Sequence, residues 1–127
     1  LKDQPKGTVG EKILAAVEDG QKITTAAYLE NRAMIDMLRE RLLARFPDAD
    51  VFLWPAAPDS APHGLAWTGD PKYISPWTAI GGPMVTLPAG KTRAGLPLGV
   101  ILCGRPGADH DICRNARLLA EAAAERA

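Results

Sequence analysis

Apolar residues recur with helical spacing over one long segment in the first half of the chain. Within residues 24–46 they repeat about every 3.6 positions, which predicts an amphipathic helix. Thr24 or Thr25 can cap its first turn, and Pro47 ends it. We expect the apolar stripe of this helix to pack on a sheet.

Two further segments have helical character. Residues 110–125 are rich in alanine and place their larger apolar side chains on one face, so they predict a closing helix capped by Asp109 or Asp111. Near the start, residues 11–18 predict a short helical stretch surrounded by glycines and a proline. We interpret residues 1–20 as a connector and residues 21–127 as one folded segment.

Three short apolar runs predict β-strands. Residues 51–54 form an uninterrupted run stopped by a proline, which is typical of a strand covered on both faces. Residues 84–87 and 98–103 flank a short Gly- and Lys/Arg-containing connection, so we expect them to pair as an antiparallel hairpin. All three strands should belong to one sheet. The pattern of strands and helices predicts an α/β fold.

Residues 55–83 show no clear element. The segment contains six prolines, and loops of this length in compact domains are commonly functional or disordered. Three aromatic residues argue against disorder, because disordered segments contain few of them; these residues are Trp67, Tyr73 and Trp77.

Composition narrows the function classes. Lys+Arg and Asp+Glu both total 15, so the net charge is zero, which argues against nucleic acid or an anionic membrane as a partner. No apolar run approaches the roughly 20 residues needed to span a bilayer. No signal peptide is recognisable, and Leu1 is not a natural start, so we expect the chain to be cut from a longer protein.

The two cysteines, Cys103 and Cys113, form no Cys-x-x-Cys pair and have no histidine at metal-ligand spacing. We therefore expect two reduced thiols in a cytoplasmic protein, with neither a metal nor another cofactor.

Three proline- and glycine-containing blocks occur in a fixed order along the chain. They are Asp-Val-Phe-Leu-Trp-Pro-x-x-Pro from Asp50, Gly-x-Pro-x-x-x-x-Pro-Ala-Gly ending at Gly90, and Gly-Leu-Pro-x-Gly-Val from Gly95. With the helices that flank them, these blocks resemble the carboxy-terminal part of amidase signature enzymes over roughly residues 20–127. The resemblance implies a mixed sheet flanked by helices, of which this chain supplies the last strands and helices.

The resemblance also implies a chemistry that this chain cannot complete. Amidase signature enzymes hydrolyse carboxamides with a serine nucleophile, a second serine and a lysine, and backbone N–H groups hold the oxyanion. The only serines here are Ser60 and Ser75, and neither lies in a Gly-Ser-rich motif. Lys72 precedes Ser75 by three residues, but prolines interrupt that segment. We therefore assign no catalytic residue and predict that the isolated chain is inactive.

Substrate contacts are predicted in the long loop. In the intact parent, Trp77 and Thr78 are expected nearest the acyl part of an amide substrate, with Trp67 and Asp70 also in the pocket wall. A loop that only packs on the sheet is the open alternative. Many family members have asparagine where this chain has Thr78, so substrate subclass does not follow from that position. An ion pair of Asp70 with Lys72, exposed to solvent, is the simpler interpretation of those two charges. His63 fits an ordinary loop histidine better than an acid–base group, since nothing around it orients a nucleophile.

Three functions stay open on the sequence. The first is a carboxy-terminal amidase fragment that contributes a pocket wall within a longer parent chain. The second is a non-catalytic binding or assembly module that shares the fold. The third is a self-sufficient hydrolase using Ser60 or Ser75 with His63, which the missing Gly-Ser loop disfavours. The expected partners are the rest of the parent chain, a small amide substrate and, through uncovered strand edges, a second copy of the chain.

Overall fold

The structure, a computed structural model, describes residues 7–125 and divides into two compact units, Leu1–Met37 and Leu38–Ala127. The predicted boundary between a connector and a folded segment, at residue 20, stays a prediction. No helix within residues 7–125 is long and apolar enough to cross a bilayer. In chain order the elements are α1 (Glu11–Gln21), α2 (Thr25–Arg45), β1 (Val51–Pro55), α3 (Ser75–Ile80), β2 (Met84–Lys91), β3 (Pro97–Gly104) and α4 (Asp109–Ala124).

The first unit contains α1 and most of α2. The helical stretch predicted over residues 11–18 is present as α1, which continues to Gln21. The hydroxyl oxygen of Thr24 accepts a hydrogen bond from the Ala27 backbone N–H at 3.2 Å, which confirms one of the two predicted caps of α2. No residue of either helix is buried. At the end of the predicted stripe, the ring centroid of Phe46 lies 5.8 Å from that of Phe52 in β1, and the packing expected for the rest of the stripe stays a prediction.

The second unit is built on an antiparallel sheet with strand order β1-β3-β2. Leu102 of β3 lies opposite Leu53 of β1 on one side and Val85 of β2 on the other. The three predicted strands and the β2–β3 hairpin are thus confirmed. The register of β2 shifts between Pro88 and Gly90, where a bulge interrupts the ladder.

One face of the sheet is covered by α4. Leu102 is fully buried there with Ile112 and Ala116 of α4, and Val51, Val85, Leu87 and Val100 pack around them. The predicted closing helix and its packing on the sheet are confirmed. The predicted side-chain cap is wrong, because the residue before the helix is Ala108 and no side chain caps it. Asp109 and Asp111 lie instead in the first turn, where their charge favours the positive end of the helix dipole.

The opposite face of the sheet packs against the end of the proline-rich segment. Side chains alternate along a strand, so Cys103 points away from Leu102. Phe52 pairs with Cys103 across the sheet, and its ring centroid lies 4.9 Å from that of Trp77 in α3. The expectation that residues 55–83 contain no element is therefore wrong, since Ser75–Ile80 is helical. Pro76 in its first turn is compatible with a helix, because the N–H groups there have no intrahelical partner.

β1 is less covered than its apolar run predicted. Leu53 is 60% exposed and Trp54 41% exposed, so the prediction of burial on both faces is wrong for the described chain. β3, the central strand, has that environment instead: residues Ile101 to Gly104 are all buried. The environment expected for residues 51–54 is thus found in the second half of the central strand and not in the edge strand.

Arg105 connects the end of β3 to the turn that precedes β1. Its guanidinium donates hydrogen bonds to the carbonyls of Ala49 (3.1 Å), Pro47 (3.0 Å) and Phe46. These carbonyls follow the last turn of α2, where backbone acceptors have no helical donor. One side chain thus satisfies three acceptors and fixes the entry into β1.

Candidate functional site

A cavity of ≈ 750 Å³ opens where β1 ends and β3 begins. Just past Pro55, the Ala56 N–H donates to the Gly99 carbonyl at 2.9 Å, which extends the pairing of β1 with β3 by one residue. A Cβ at Gly99 would lie 3.2 Å from the Ala56 Cβ and 3.1 Å from Cγ2 of Thr86. The absence of a side chain at Gly99 therefore allows the loop to approach the sheet closely and sets the floor of the cavity.

The walls of the cavity are mostly apolar. The size falls within the range of about 300–1,000 Å³ that is usual for small-molecule pockets. The loop supplies Trp67, several prolines and alanines, and Ile74, while β2 and β3 supply Leu87 and Leu98. The polar lining residues are Asp59, Ser60, Thr68, Asp70 and Thr86. This is the composition of a site that binds a small, largely apolar molecule and orients it through a few polar groups.

Both acidic residues in the wall are oriented by the backbone beside them. One carboxylate oxygen of Asp59 accepts from the Ser60 N–H at 2.7 Å, and one of Asp70 accepts from the Lys72 N–H at 3.0 Å. The Lys72 ammonium lies 5.4 Å from the centroid of the Tyr73 ring. The Asp70 side chain therefore shapes a turn, and the predicted ion pair between Asp70 and Lys72 is absent among the described residues.

Only two of the four predicted substrate-binding residues line this cavity, namely Trp67 and Asp70. Trp77 is 3% exposed and donates its indole N–H to the Gly104 carbonyl at 3.1 Å. Thr78 is exposed, and its hydroxyl donates to the Ile74 carbonyl at 3.1 Å within α3. The structure thus places Trp77 in the core and Thr78 on a helix surface, both outside the lining.

The comparison with protein families decides the identity at family level. The family model described as Amidase matches residues 3–113, which is most of the chain. This chain belongs to the amidase family. The antiparallel strands and the helix that covers them are thus the amidase fold seen over part of its length.

Similar proteins are themselves amidases or related enzymes. The chain is 32% identical to human fatty-acid amide hydrolase 2 over 76% of its own length and 19% of that protein. It is 34% identical to the A subunit of glutamyl-tRNA(Gln) amidotransferase from Geotalea daltonii over 72% of the chain and 20% of that protein. A solved structure titled "Crystal structure of amidase" superposes with a TM-score of 0.75, at 26% identity, over 91% of this chain and 29% of that one. The chain therefore spans about a fifth of the length of the curated relatives it matches.

The two serines of this amidase-family chain are not hydrogen-bonded to a candidate base within the described residues. Ser60 lines the cavity and Ser75 begins α3, and no hydrogen bond joins either hydroxyl to His63 or Lys72 within residues 7–125. No group of three or more His, Cys, Asp or Glu side chains in that range could hold a metal ion. What the arrangement can do chemically is bind and orient a small molecule.

The two cysteines differ sharply in environment. Cys103 is fully buried in β3, and burial raises the pKa of its thiol from 9.0 to about 11. Cys113 is exposed on α4. Because the thiolate is the nucleophilic form, Cys103 is an inert packing residue.

Sequence analysis missed two residues of the site. Asp59 lies four residues beyond the end of β1, and an acidic residue in the loop that follows a strand was a usable signal. Gly99 lies inside the β3 segment, and a glycine within a strand indicates a close backbone approach. Neither pattern, however, predicts where in a pocket the residue lies.

Proposed function

We propose that this chain supplies part of the substrate pocket of an amidase that hydrolyses a carboxamide C–N bond. The cavity between the proline-rich loop and the sheet supports the proposal most directly. It has the volume and lining of a small-molecule site, and it lies in a chain of the amidase family. The catalytic serines and lysine would come from a part of the parent protein outside these 127 residues.

The role of the chain's own residues would be binding and positioning. Trp67, Ile74 and the strand ends would hold the apolar part of the acyl group and exclude water from it. Asp59 and Asp70 would fix its orientation through polar contacts. Holding the amide carbon at the correct distance from a nucleophile contributes to rate without any chemistry in the wall itself. The rest of the parent chain is the partner that this role requires.

Kinetics in the parent enzyme test the proposal. In an amidase chain that carries residues 1–127 together with the catalytic segment, Trp67→Ala and Asp70→Asn should change the ranking of amide substrates by kcat/KM. Thr78→Ala is the matched control, because its hydroxyl bonds within α3 and lies outside the lining. A uniform loss on all substrates would make the cavity structural. A changed ranking with Thr78→Ala alone would restore the position expected from the sequence.

A non-catalytic binding or assembly module remains the second candidate. The lack of a serine paired with a base in the described residues supports it equally. Both candidates predict that the pure 127-residue chain hydrolyses no amide above the buffer rate. Turnover by the pure chain that Ser75→Ala abolishes would contradict both and restore the self-sufficient hydrolase. The kinetic test in the parent separates the two, since an assembly module would leave the substrate ranking unchanged.

A further inference from the structure

The cavity assigned to substrate has a charge of one sign. Two of its lining residues, Asp59 and Asp70, are acidic, and no lysine, arginine or histidine belongs to its lining. The chain as a whole has equal numbers of acidic and basic residues, so the imbalance is local. A cleft with charge of one sign concentrates ligands of the opposite sign.

The orientation of the two carboxylates leaves each able to bind a donor. One oxygen of each accepts a backbone N–H, from Ser60 for Asp59 and from Lys72 for Asp70. These bonds restrict the side chains in advance, so less freedom is lost when a ligand binds. Within the described chain the second oxygen of each carboxylate accepts no hydrogen bond. An ionised carboxylate can accept several, and an ammonium group donates three.

The aromatic residue in the wall favours the same ligand charge. Trp67 lines the cavity and is 58% exposed, so part of its ring is available to a bound molecule. Among aromatic side chains, indole attracts cations most strongly through its ring face. The other lining residues are mainly alanine, proline and leucine, which fit an aliphatic or aromatic body, and Ser60, Thr68 and Thr86 add hydroxyl groups without charge.

We propose that this cavity selects amides whose acyl part is apolar and carries a cationic group, such as an ammonium, and that it disfavours anionic substrates. The inference rests on the proposed function, because it names the substrate class of the same cavity. The ammonium would lie between the carboxylates of Asp59 and Asp70, with the apolar body against Trp67.

Binding to the 127-residue chain tests the charge preference separately from catalysis. The probes are 4-phenylbutylamine, 4-phenylbutanol and 4-phenylbutyrate, which share one apolar body and differ in charge. Chemical-shift titration at low salt should show the amine binding at least about threefold more tightly than the alcohol, because an exposed ion pair adds a modest attraction. The carboxylate should bind more weakly than the alcohol. Raising the salt concentration should narrow both differences.

Variants assign the effect to the cavity. The double variant Asp59→Asn with Asp70→Asn should abolish the preference for the amine, and Trp67→Ala should weaken all three probes. Asp111→Asn is the control, because this exposed carboxylate on α4 pairs with Arg114 at 2.9 Å and lies outside the lining. Circular dichroism of each variant confirms that it is folded.

The outcomes separate this inference from the proposed function. Equal binding of the three probes that still depends on Trp67 would overturn the charge preference and leave the cavity as a ligand site. Tighter binding of the carboxylate would also overturn the preference. Failure of all three probes to bind would overturn both the inference and the pocket on which it rests.

Discussion

At the scale of single residues, Trp77 stabilises the second unit through its ring and its N–H group. The ring is buried against Phe52, and the N–H donates to the Gly104 carbonyl 27 residues away. Gly82 makes room for it, since a Cβ there would collide with both the Trp77 indole nitrogen and the Gly104 carbonyl. The buried ring and its hydrogen bond thus explain the position of α3 without reference to a substrate.

We expect Trp77→Ala to lower the free energy of unfolding by about 3–5 kcal/mol, as truncations of buried aromatic residues do. Trp77→Phe keeps a ring but leaves the Gly104 carbonyl without its donor, so about 1–3 kcal/mol should be lost. Urea unfolding measures both. Trp67→Ala is the control, because that side chain is 58% exposed and its loss should change stability by about 0.5 kcal/mol or less. Equal losses at Trp67 and Trp77 would contradict the assignment of Trp77 to the core.

The buried thiol of Cys103 makes stability depend on alkaline pH. Its pKa is about 11 in the folded chain and near 9.0 when exposed, so the unfolded chain loses this proton first. The stability that the protonated Cys103 thiol contributes to the folded chain is fully present below about pH 9. It is lost as the pH rises toward 11, by at most about 3 kcal/mol. The free energy of unfolding is measured between pH 8 and 11 for the wild type and for Cys103→Ala. The difference between the two profiles isolates the effect of this thiol from that of the tyrosines and lysines. Cys113→Ala, which removes an exposed thiol, should keep the wild-type pH dependence; a Cys103→Ala profile parallel to wild type would contradict the prediction.

At the scale of elements, the sheet owes its stability to the central strand. Leu102 is fully buried beneath α4, whereas Leu53, directly opposite on β1 and on the same face, is 60% exposed. Leu102→Ala should cost about 2–5 kcal/mol, because it leaves a cavity under α4. Leu53→Ala removes the same atoms from the edge strand and should cost under about 1 kcal/mol. The denaturant midpoints of Leu102→Ala and Leu53→Ala measure this difference, and similar midpoints would mean that the edge strand is covered as well.

Leu102→Asp should lower stability further than Leu102→Ala, since it buries an unpaired charge.

At the scale of the whole molecule, the sheet has two open edges. β1 and β2 each pair only with β3 in the described chain, and β1 exposes Leu53 and Trp54. Unpaired edges with apolar side chains invite pairing with another chain. We expect self-association at micromolar concentration, measured by light scattering. Leu53→Lys should weaken it, whereas Leu118→Lys on α4, also at an exposed leucine, should not. A wild-type chain that stays monomeric at high concentration would exclude this use of the edge.

Much of the architecture could be predicted from the sequence because its signals are local. The runs at 51–54, 84–87 and 98–103 and the periodicity of 24–46 and 110–125 each lie within one element, and each element is present. α3 was missed because its six residues make less than two helical turns, too few to show a periodic pattern. Pro76 also suggested a loop, although a proline is compatible with the first turn of a helix. The exposure of β1 was missed because an apolar run does not show whether a strand lies at the edge or in the centre of a sheet.

The sequence by itself determined the family, the three strands and the helices other than α3. Those properties depend on residue identity and order over short distances. Only the tertiary structure decided which tryptophan belongs to the core and which to the cavity. Trp67 and Trp77 lie in the same proline-rich segment, and nothing local distinguishes them. The difference arises because Trp77 meets Phe52 and Gly104, residues far away in the chain, whereas the turns around Asp59 and Asp70 leave Trp67 beside the open end of the sheet. Burial is a property of contacts between distant segments, so it is set only when those segments pack.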